Sequence, residues 1–351
     1  MRILIISDAA PPQVNGVVRT LSHLERQLTD MGHDVLIITP DGFRTMPAPS
    51  YPEIRLALRP GGRLAGLIEG FQPQAIHLAT EGPLGWAGRR YCLRHGLPYT
   101  TSYTTRFPEY LHARWRIPLR WSYSVLRRFH GAGAGTMVAT PSMRAELERW
   151  GFTHLRPWTR GVDTGLFRPQ PDAVSPWPRP VLLYAGRVAV EKNIEAFLRL
   201  DMPGTKVVVG AGPQLETLRQ QFPDAKFPGY IVNGKLAAMY AAADVFVFPS
   251  RTDTFGLVML EALASGVPVA AFPTPGPLDV IGDSGAGVLD EDLGRAVRQA
   301  LTISREHCRA YALTYSWQRC AGLFLEHLAV IDAPTPAADA AEARRLRGAS
   351  A

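Results

Sequence analysis

The sequence predicts an α/β protein made of two doubly wound domains that face a central cleft. Three observations lead to this prediction. The length of 351 residues fits two domains. Short apolar segments alternate with segments of helical periodicity through both halves of the chain. The hydrophobic fraction of 46% and the charged fraction of 20% exclude disorder for the bulk of the chain. In addition, no apolar run is long enough to span a membrane.

Apolar segments in the first half of the chain predict buried strands at residues 2–7, 35–38, 75–78 and 99–103. The spacing of apolar residues predicts helices from residue 17 to about residue 31 and over 84–94. Strand–helix–strand alternation of this kind implies parallel strands that are joined by right-handed crossovers.

The second half of the chain repeats this alternation. Its predicted strands are 181–185, 206–209, 226–227, 245–248 and 267–271, and its predicted helices are 194–200, 214–221, 234–242 and 257–264. Five prolines between residues 169 and 180 indicate a stiff linker. We therefore predict an N-terminal domain of residues 1–168, which binds the acceptor and faces the membrane, and a C-terminal donor domain of residues 169–328. The last helix, at about 311–328, could pack back on the N-terminal domain, and residues 333–351 are expected to be a disordered tail.

The positive charge of the chain is confined to its first half. Residues 1–168 contain 21 Arg, no Lys and 12 acidic residues, a balance of +9, whereas residues 169–351 contain 17 basic and 19 acidic residues, a balance of −2. The cysteines are three in number and form no C-x-x-C pair. This excludes a disulfide framework and a structural zinc site, and it predicts a reducing, cytoplasmic environment.

Two cations follow the predicted strand 181–185. Arg187 and Lys192 would lie at the carboxyl edge of a parallel sheet and near a helix start, where anions bind. Arg offers a planar fork and Lys a compact charge, so together they can hold a diphosphate and neutralise it as it leaves. Taken alone, the same residues are equally compatible with a solvated helix start that contains an Arg–Glu pair.

Two acids follow the predicted strand 245–248. Asp253 precedes a helix and Glu261 lies on its second turn. The backbone N–H groups at the helix start would be available to phosphate oxygens, and the two acids could accept hydrogen bonds from sugar and ribose hydroxyls. The alternative makes Asp253 a helix cap and Glu261 a surface residue. The apolar segment 257–264 disfavours that alternative, because an unpaired acid there would be costly.

Together with the segment Arg160-Gly161-Val162-Asp163-Thr164, these pairs resemble the retaining glycosyltransferases of family 4 over about residues 1–328. The resemblance implies the GT-B fold and a nucleotide-diphosphate sugar donor. It implies that Arg187 and Lys192 hold the diphosphate, that Asp253 contacts the donor sugar and that Glu261 binds the ribose. The further donor contacts that it implies are Asn15, Gly16, Gly186, Gly212, Ile231, Thr254, Phe255, Gly256 and Leu257.

The chain departs from the pattern of this family at two positions. The first acid is usually Glu and here is Asp253, one methylene shorter, which leaves the choice of sugar open. In the segment Thr101-Ser102-Tyr103-Thr104, Thr104 takes the place of the family's His at the reacting sugar. The leaving phosphate of such enzymes is thought to take the acceptor proton, so a positioned hydroxyl could suffice. We therefore count Thr104 among the catalytic residues, with Arg187, Lys192 and Asp253.

The acceptor is predicted to bind the N-terminal domain. Residues 89–130 contain nine arginines and a single acid, with aromatic residues interleaved, among them Trp115, Trp121, Tyr123 and Phe129, and this composition suits an anionic bilayer or nucleic acid. The donor motifs favour the bilayer, although an ordinary solvated face is the plain alternative. The segment around Glu81 is similar to glycolipid synthases that act on diacylglycerol. Our predicted acceptor contacts are Glu81, Tyr103 and Arg106, and Glu81 could equally cap the helix that follows it.

These observations predict a retaining, peripheral membrane glycosyltransferase on the cytoplasmic face of the cell membrane. It would move a hexose or hexuronic acid from a UDP-sugar to diacylglycerol or a similar lipid. The alternative within the enzyme class is a GDP-mannose-dependent mannosyltransferase. The alternative from another class is a non-catalytic protein that binds a nucleotide-sugar or nucleic acid. We expect no nucleic-acid partner, no metal and no cofactor besides the nucleotide-sugar co-substrate, and we expect structural roles for His77, His95 and His112.

Overall fold

The computed structural model describes residues 1–331 with the exception of residues 12, 14, 15, 49, 50 and 254. Three predictions lie outside these residues. They are the donor contacts Asn15 and Thr254 and the disordered tail over residues 333–351.

The N-terminal domain is a six-stranded parallel sheet covered by helices, with a small antiparallel hairpin beside it. The strands of the sheet are β1 (Arg2–Ile6), β2 (Asp34–Ile38), β5 (Ala75–Leu78), β6 (Thr100–Tyr103), β7 (Gly135–Val138) and β8 (Leu155–Pro157), and the hairpin is β3 (Thr45–Ala48) and β4 (Tyr51–Ala57). The helices are α1 (Gly16–Asp30), α2 (Gly61–Phe71), α3 (Pro83–His95), α4 (Phe107–Trp115), α5 (Leu119–His130) and α6 (Pro141–Arg149).

The C-terminal domain is a second six-stranded parallel sheet. Its strands are β9 (Val181–Ala185), β10 (Thr205–Val209), β11 (Lys226–Gly229), β12 (Val245–Phe248), β13 (Val269–Ala271) and β14 (Gly287–Leu289). The helices that follow these strands are α7 (Ile194–Leu198), α8 (Leu215–Gln221), α9 (Asn233–Ala242), α10 (Leu257–Ala264), α11 (Pro275–Val280), α12 (Leu293–Ala300), α13 (Arg305–Ala312) and α14 (Trp317–His327).

Each sheet reverses its winding direction at one point. The spatial order is β2-β1-β5-β6-β7-β8 in the first sheet and β11-β10-β9-β12-β13-β14 in the second. The switch points therefore lie between β1 and β5 and between β9 and β12. Ligands of open α/β sheets bind beyond the carboxyl ends of the strands at such points.

Central strands form the cores of both sheets. Ile3, Leu4, Ile5 and Ile6 of β1 are buried completely, and all four residues of β12 are buried as well. Helices cover both faces of a parallel sheet, so both faces of a central strand must be apolar, and the sequence of such a strand is a continuous apolar run. This is why the central strands β1, β5, β9 and β12 could be predicted from the sequence, whereas β7, β8 and β14 were not predicted.

The two sheets face each other with their carboxyl edges. Arg19 of α1, which follows β1, forms an ion pair with Glu261 of α10, which follows β12. Ser142 at the start of α6 donates from its backbone N–H, at 3.2 Å, and from its hydroxyl group to Asp279 of α11. All four helices begin near carboxyl ends of strands, so these contacts bridge the predicted cleft.

The chain returns to the N-terminal domain after α13. Helix α14 packs against α1, and its Phe324 is fully buried in the core that contains Ile3 and Ile5. The predicted single helix at about 311–328 is wrong in one respect, because α13 ends at Ala312 and α14 begins at Trp317. The hydroxyl of Ser316 accepts a hydrogen bond from the backbone N–H of Arg319 and caps α14, which explains the new start.

A cavity of about 920 Å³ lies between the linker and helix α9. Residues 165, 166 and 168–177 line one side of it, and none of the predicted site residues contributes to its wall. Across the described residues, no helix is both long enough and apolar enough to span a bilayer.

Candidate functional site

The predicted donor residues lie at the carboxyl edge of the C-terminal sheet, at its switch point. Strands β9 and β12 are neighbours, so the loops that leave them lie side by side. The first loop contains the 3-10 turn Val190–Lys192, and Asn193 follows it with a left-handed backbone of φ 52°. The Asn193 side chain donates a hydrogen bond of 3.1 Å to the carbonyl of Pro249 and ties the two loops together. The topology thus brings the two predicted cations beside the first predicted acid.

Lys192 and Asp253 form an ion pair between these loops. Nζ of Lys192 lies 2.5 Å from Oδ1 of Asp253, and both side chains are about one-fifth exposed. Among the described residues nothing hydrogen bonds to the other carboxylate oxygen, Oδ2. Asp253 therefore orients the ammonium group through one oxygen, while its second oxygen is buried and remains an unused acceptor.

Arg187 lies on the same loop and is the more accessible cation. Its side chain is nearly half exposed, and one guanidinium nitrogen lies 4.0 Å from a carboxylate oxygen of Glu191. A pair at this distance and exposure contributes little to stability. The Arg187 guanidinium is therefore partly open to solvent at the edge of the sheet.

Glu261 is a buried acid with two polar partners. Its side chain is 5% exposed, and Oε1 accepts from the guanidinium of Arg19 while Oε2 accepts a hydrogen bond of 3.1 Å from the Tyr240 hydroxyl. Burial raises the pKa of Glu261, and the charge of Arg19 and the Tyr240 hydrogen bond act against that rise. The prediction that this acid is paired and not on the surface is confirmed by its burial.

Two glycines at the edge of the sheet lie where neighbouring protein atoms leave no room for a side chain. Gly256 directly precedes α10 with φ 83°, a conformation that an L side chain rarely adopts, and a Cβ there would lie 2.8 Å from Met259. At Gly212, after β10, a Cβ would lie 2.2 Å from the carbonyl oxygen of Val188. Leu257 is the first residue of α10 and Phe255 is buried just before it, so these residues surround the helix start.

The predicted donor contact Ile231 lies just beyond the end of β11. The backbone N–H of Gly210 donates to the carbonyl of Gly229 at 2.9 Å, which joins the ends of β10 and β11. Ile231 is partly buried against the core of the domain, whereas Tyr230 is 57% exposed. Gly186 follows β9, and Gly16 begins α1 in the other domain.

Comparisons with known proteins agree with this geometry. The family model for Glycosyltransferase Family 4 matches residues 14–166, and that for Glycosyl transferases group 1 matches residues 179–303. A GDP-mannose-dependent alpha-mannosyltransferase of Mycobacterium tuberculosis (strain CDC 1551 / Oshkosh) is 32% identical in an alignment that covers 82% of this chain and 83% of that protein. The chain belongs to the family 4 glycosyltransferases.

A second relative and a solved structure extend the comparison. An alpha-monoglucosyldiacylglycerol synthase of Streptococcus pneumoniae (strain ATCC BAA-255 / R6) is 28% identical over 86% of this chain and 78% of that protein. Sucrose-phosphate synthase of Thermosynechococcus elongatus superposes with a TM-score of 0.76 at 21% identity and covers 99% of this chain and 100% of that structure. The predicted GT-B fold is confirmed, and the protein is a glycosyltransferase.

Glu81 of this family 4 glycosyltransferase lies below the surface of the N-terminal domain. Its side chain is 3% exposed, and Oε1 lies 3.2 Å from Nε2 of His130, which is itself buried. The alternative that Glu81 caps the following helix is wrong. Asp8, after β1, caps α3 instead by accepting from the backbone N–H groups of Leu84 and Gly85 at 2.9 and 3.2 Å.

The other two predicted acceptor residues also have internal contacts. Tyr103 is 2% exposed, with its ring packed near Phe152 and His130. Arg106 donates a hydrogen bond of 2.5 Å to Glu146 and is about one-sixth exposed. The structure therefore gathers Glu81 and Tyr103 around His130 but leaves Arg106 in a separate ion pair.

Thr104 follows β6 at the carboxyl edge of the N-terminal sheet. Its hydroxyl oxygen is buried and has no hydrogen-bond partner among the described residues. An acceptor or donor hydroxyl group could satisfy it. Because a Thr hydroxyl does not ionise near neutral pH, the hydroxyl can position a substrate but cannot serve as a general base.

The three histidines that were expected to have structural roles contact neighbouring groups of the fold. His77 is completely buried between the hydroxyls of Thr100 and Ser102, and burial lowers its pKa to about 3. His95 packs on Tyr91, and His112 contacts a backbone carbonyl. Over the part of the chain that the structure describes, no three His, Cys, Asp or Glu side chains form a group that could hold a metal ion.

Arg19 and Tyr240 are the site residues that sequence reasoning missed. Tyr240 lies on an apolar helix, where an aromatic residue predicts only packing. Arg19 offered a signal, because it lies in the first turn of α1, where the helix dipole disfavours a cation. A basic residue at this position indicates an anion nearby, and that anion is Glu261.

Proposed function

We propose that this glycosyltransferase moves a hexose or hexuronic acid, with retention, from a UDP-sugar to diacylglycerol or a related lipid at an anionic membrane surface. The observation that supports the proposed nucleotide-sugar donor is the cluster of Lys192, Asp253 and Glu261 at one switch point. Fixed cations beside acids that can accept hydroxyl groups suit a ligand that carries both a diphosphate and sugars.

Each residue of the cluster has a separate role in this proposal. Arg187 and Lys192 bind the diphosphate and stabilise the negative charge that develops on it as the glycosidic bond breaks. The free oxygen of Asp253 accepts from a hydroxyl of the transferred sugar, and Glu261 accepts from the ribose. The backbone N–H groups at the start of α10 add contacts to phosphate oxygens.

The transfer step requires a nucleophile and a proton acceptor on one face of the sugar. The lipid hydroxyl attacks the anomeric carbon as the bond to the diphosphate breaks, and the leaving phosphate oxygen takes the proton of that hydroxyl. Thr104 positions a reacting group through its hydroxyl. The cations already neutralise the diphosphate, so we propose that no metal is required.

A basic and aromatic surface supports the membrane half of the proposal. Helix α5 turns one side outward, here called the outer face of α5, which consists of Arg120, Trp121, Val125 and Arg128. All four residues are exposed, Trp121 by 63% and Val125 by 54%. Aromatic and aliphatic side chains can enter a bilayer interface while arginines bind anionic headgroups, at about 1 kcal/mol per basic residue. This surface belongs to the domain proposed to bind the acceptor.

The second candidate is transfer of mannose from GDP-mannose to a lipid or glycan. The 32% identity to a GDP-mannose-dependent alpha-mannosyltransferase favours it, and the 28% identity to an alpha-monoglucosyldiacylglycerol synthase favours the first candidate. Both donors present a ribose and a diphosphate to the same cluster. The two donors therefore differ in the base and in the sugar.

A donor panel tests the proposal. The purified protein is mixed with anionic liposomes that contain diacylglycerol, and UDP-glucose, UDP-galactose, UDP-glucuronate and GDP-mannose are added separately. The lipid products are then resolved by mass. A hexosyl or hexuronosyl lipid from a UDP donor is expected. Product from GDP-mannose alone would replace the first candidate with the second, and donor hydrolysis without a lipid product would refute the lipid acceptor.

A further inference from the structure

The ion pair between Arg19 and Glu261 joins the two domains at the proposed donor site. The guanidinium of Arg19 contacts Oε1 of Glu261 across the cleft, over a separation of 242 residues in sequence. The Arg19 side chain is 39% exposed, whereas that of Glu261 is 5% exposed. Arg19 therefore lies between the solvent and the buried carboxylate.

The position of Arg19 on its own helix is unfavourable without an anion. Backbone N–H groups give the first turn of a helix a partial positive charge, so a cation there is disfavoured. Helix α1 has no acidic residue in its first turn. In this structure the compensating negative charge comes from Glu261 of the opposite domain.

A ribose and Arg19 compete for the same carboxylate. Two neighbouring ribose hydroxyls can donate to the two oxygens of an acid, but Tyr240 already donates to Oε2 of Glu261 and Arg19 to Oε1. The carboxylate is almost completely buried, and Arg19 covers it on the side of the cleft. Each oxygen can accept a further hydrogen bond, but the buried carboxylate becomes accessible to ribose hydroxyls only when the guanidinium that covers it moves aside.

We propose that Arg19 is a donor-binding residue that Glu261 holds until the donor ribose displaces it, after which its guanidinium binds a phosphate of the donor. This inference rests on the proposed function and adds to it a residue from the N-terminal domain. The first phosphate of a nucleoside diphosphate is joined to the same ribose through C5′ and O5′. A long, flexible side chain that leaves the ribose-binding acid therefore finds phosphate oxygens close by.

The exchange leaves each charged group with polar partners, although Glu261 exchanges a charged partner for neutral ones. Arg19 gives up a carboxylate and gains a phosphate, both of which fit its planar fork. Glu261 gives up a guanidinium and gains ribose hydroxyls. Because Arg19 belongs to the N-terminal domain, its phosphate contact holds the two domains together around the donor.

A comparison of a nucleoside with its diphosphate separates this exchange from a structural role. Uridine displaces Arg19 but offers it no phosphate, so Arg19 opposes the binding of uridine. UDP displaces Arg19 and then binds it, so Arg19 favours the binding of UDP. Removal of the guanidinium should consequently have opposite effects on the two ligands.

The experiment is calorimetric titration of UDP and uridine into the full-length wild type, Arg19→Gln, Arg19→Lys and Arg26→Gln, with GDP and guanosine as a second ligand pair. Because burial raises the pKa of Glu261, a mildly alkaline pH is used to favour its ionised form. Arg26 is an exposed residue of the same helix and serves as the matched control. Circular dichroism establishes that each variant is folded.

We expect Arg19→Gln to weaken UDP binding about tenfold or more and to tighten uridine binding. Arg19→Lys should retain part of the affinity for UDP, and Arg26→Gln should change neither affinity. Equal weakening of both ligands, equal tightening of both, or no change in either would overturn the inference. If the folded wild type binds no nucleotide or nucleoside, the proposed function itself fails, and the inference fails with it.

Discussion

Lys192 donates a hydrogen bond of 2.5 Å to Oδ1 of Asp253, so a cation and an acid from the loops after two neighbouring strands hold each other at the switch point of the C-terminal sheet. The pair fixes the direction of the ammonium group. It also leaves Oδ2 of Asp253 without a partner among the described residues. This arrangement gives two testable roles to a single carboxylate.

Removal of the charge of Asp253 should impair transfer without loss of the fold. Asp253→Asn keeps the size of the side chain but weakens both the attraction for Lys192 and the acceptor for a sugar hydroxyl. We expect kcat to fall about 10- to 100-fold, the range of a lost charge-assisted contact in a transition state. Asp253→Glu, which restores the usual acid of the family, should remain active and change the preference among donor sugars. Steady-state kinetics with the donor panel measures both effects.

The control for Asp253 is Glu216→Gln, at a highly exposed acid of the same domain. It should leave kcat unchanged. Wild-type kcat in Asp253→Asn would contradict a role of this carboxylate in transfer.

The hydroxyl of Thr104 should matter for its position and not for proton transfer. Thr104→Val has the same shape without the hydroxyl, and we expect kcat to fall about tenfold. Thr104→Ser keeps the hydroxyl and should stay within about twofold of the wild type. The pH profile of kcat should be the same for all three proteins, because this hydroxyl does not ionise in the working range. Equal activity of the Val and Ser variants would rule out the positioning role.

His77 should make the protein sensitive to acid. Its pKa is lowered to about 3 by burial, with smaller contributions from the charges of Arg160 and His130. At a pH below about 6.5, the pKa of His in the unfolded chain, the unfolded chain binds a proton that the folded chain excludes. The free energy of unfolding therefore decreases as the pH is lowered. The expected loss from this one group is about 2 kcal/mol between about pH 6.5 and about pH 5.

Denaturant unfolding of the wild type and of His77→Gln at both pH values measures this contribution. Gln retains hydrogen-bonding groups for Thr100 and Ser102 but does not titrate. The variant should lose about 2 kcal/mol less than the wild type over the interval. An equal loss in the two proteins would show that His77 is not the group that responds to acid.

The outer face of α5 should govern association with anionic liposomes. Trp121→Ala removes an interfacial anchor, and Arg128→Glu replaces an attraction with a repulsion. Each substitution should lower the bound fraction in co-sedimentation. For Arg128→Glu we expect the affinity for the liposomes to fall about tenfold at low salt. Arg144→Glu, at a half-exposed residue of α6, is the control for charge alone. Binding that depends on neither the content of anionic lipid nor the salt concentration would exclude an electrostatic membrane contact.

Continuous apolar segments made the central strands of both sheets predictable, whereas the hairpin of β3 and β4 gives no such signal. Strands β3 and β4 form an antiparallel pair outside the main sheet, and their sequences contain Pro47 and Pro52, which disfavour a strand assignment. Helix α14 begins at a local cap, Ser316, within a segment whose apolar residues suggested one longer helix.

The site residues that follow closely after a strand were predictable from the sequence. Lys192 and Asp253 follow two strands that any doubly wound sheet with this order makes neighbours. The partner of Glu261 was not predictable in this way, because Arg19 reaches it from the other domain across 242 residues of sequence. Asp8 also reaches α3 from a distant position in the sequence, so the sequence could not show that Asp8, and not Glu81, caps this helix.

The most direct test of the donor site is sugar transfer by Lys192→Ala compared with Arg199→Ala, an exposed basic residue of the same domain. Both variants are assayed with UDP-glucose and with GDP-mannose in anionic liposomes that contain diacylglycerol, and liposome binding is measured in parallel. We expect Lys192→Ala to lose transfer and to retain liposome binding, while Arg199→Ala keeps both. Full turnover by Lys192→Ala would contradict the proposal that this cation holds the donor diphosphate.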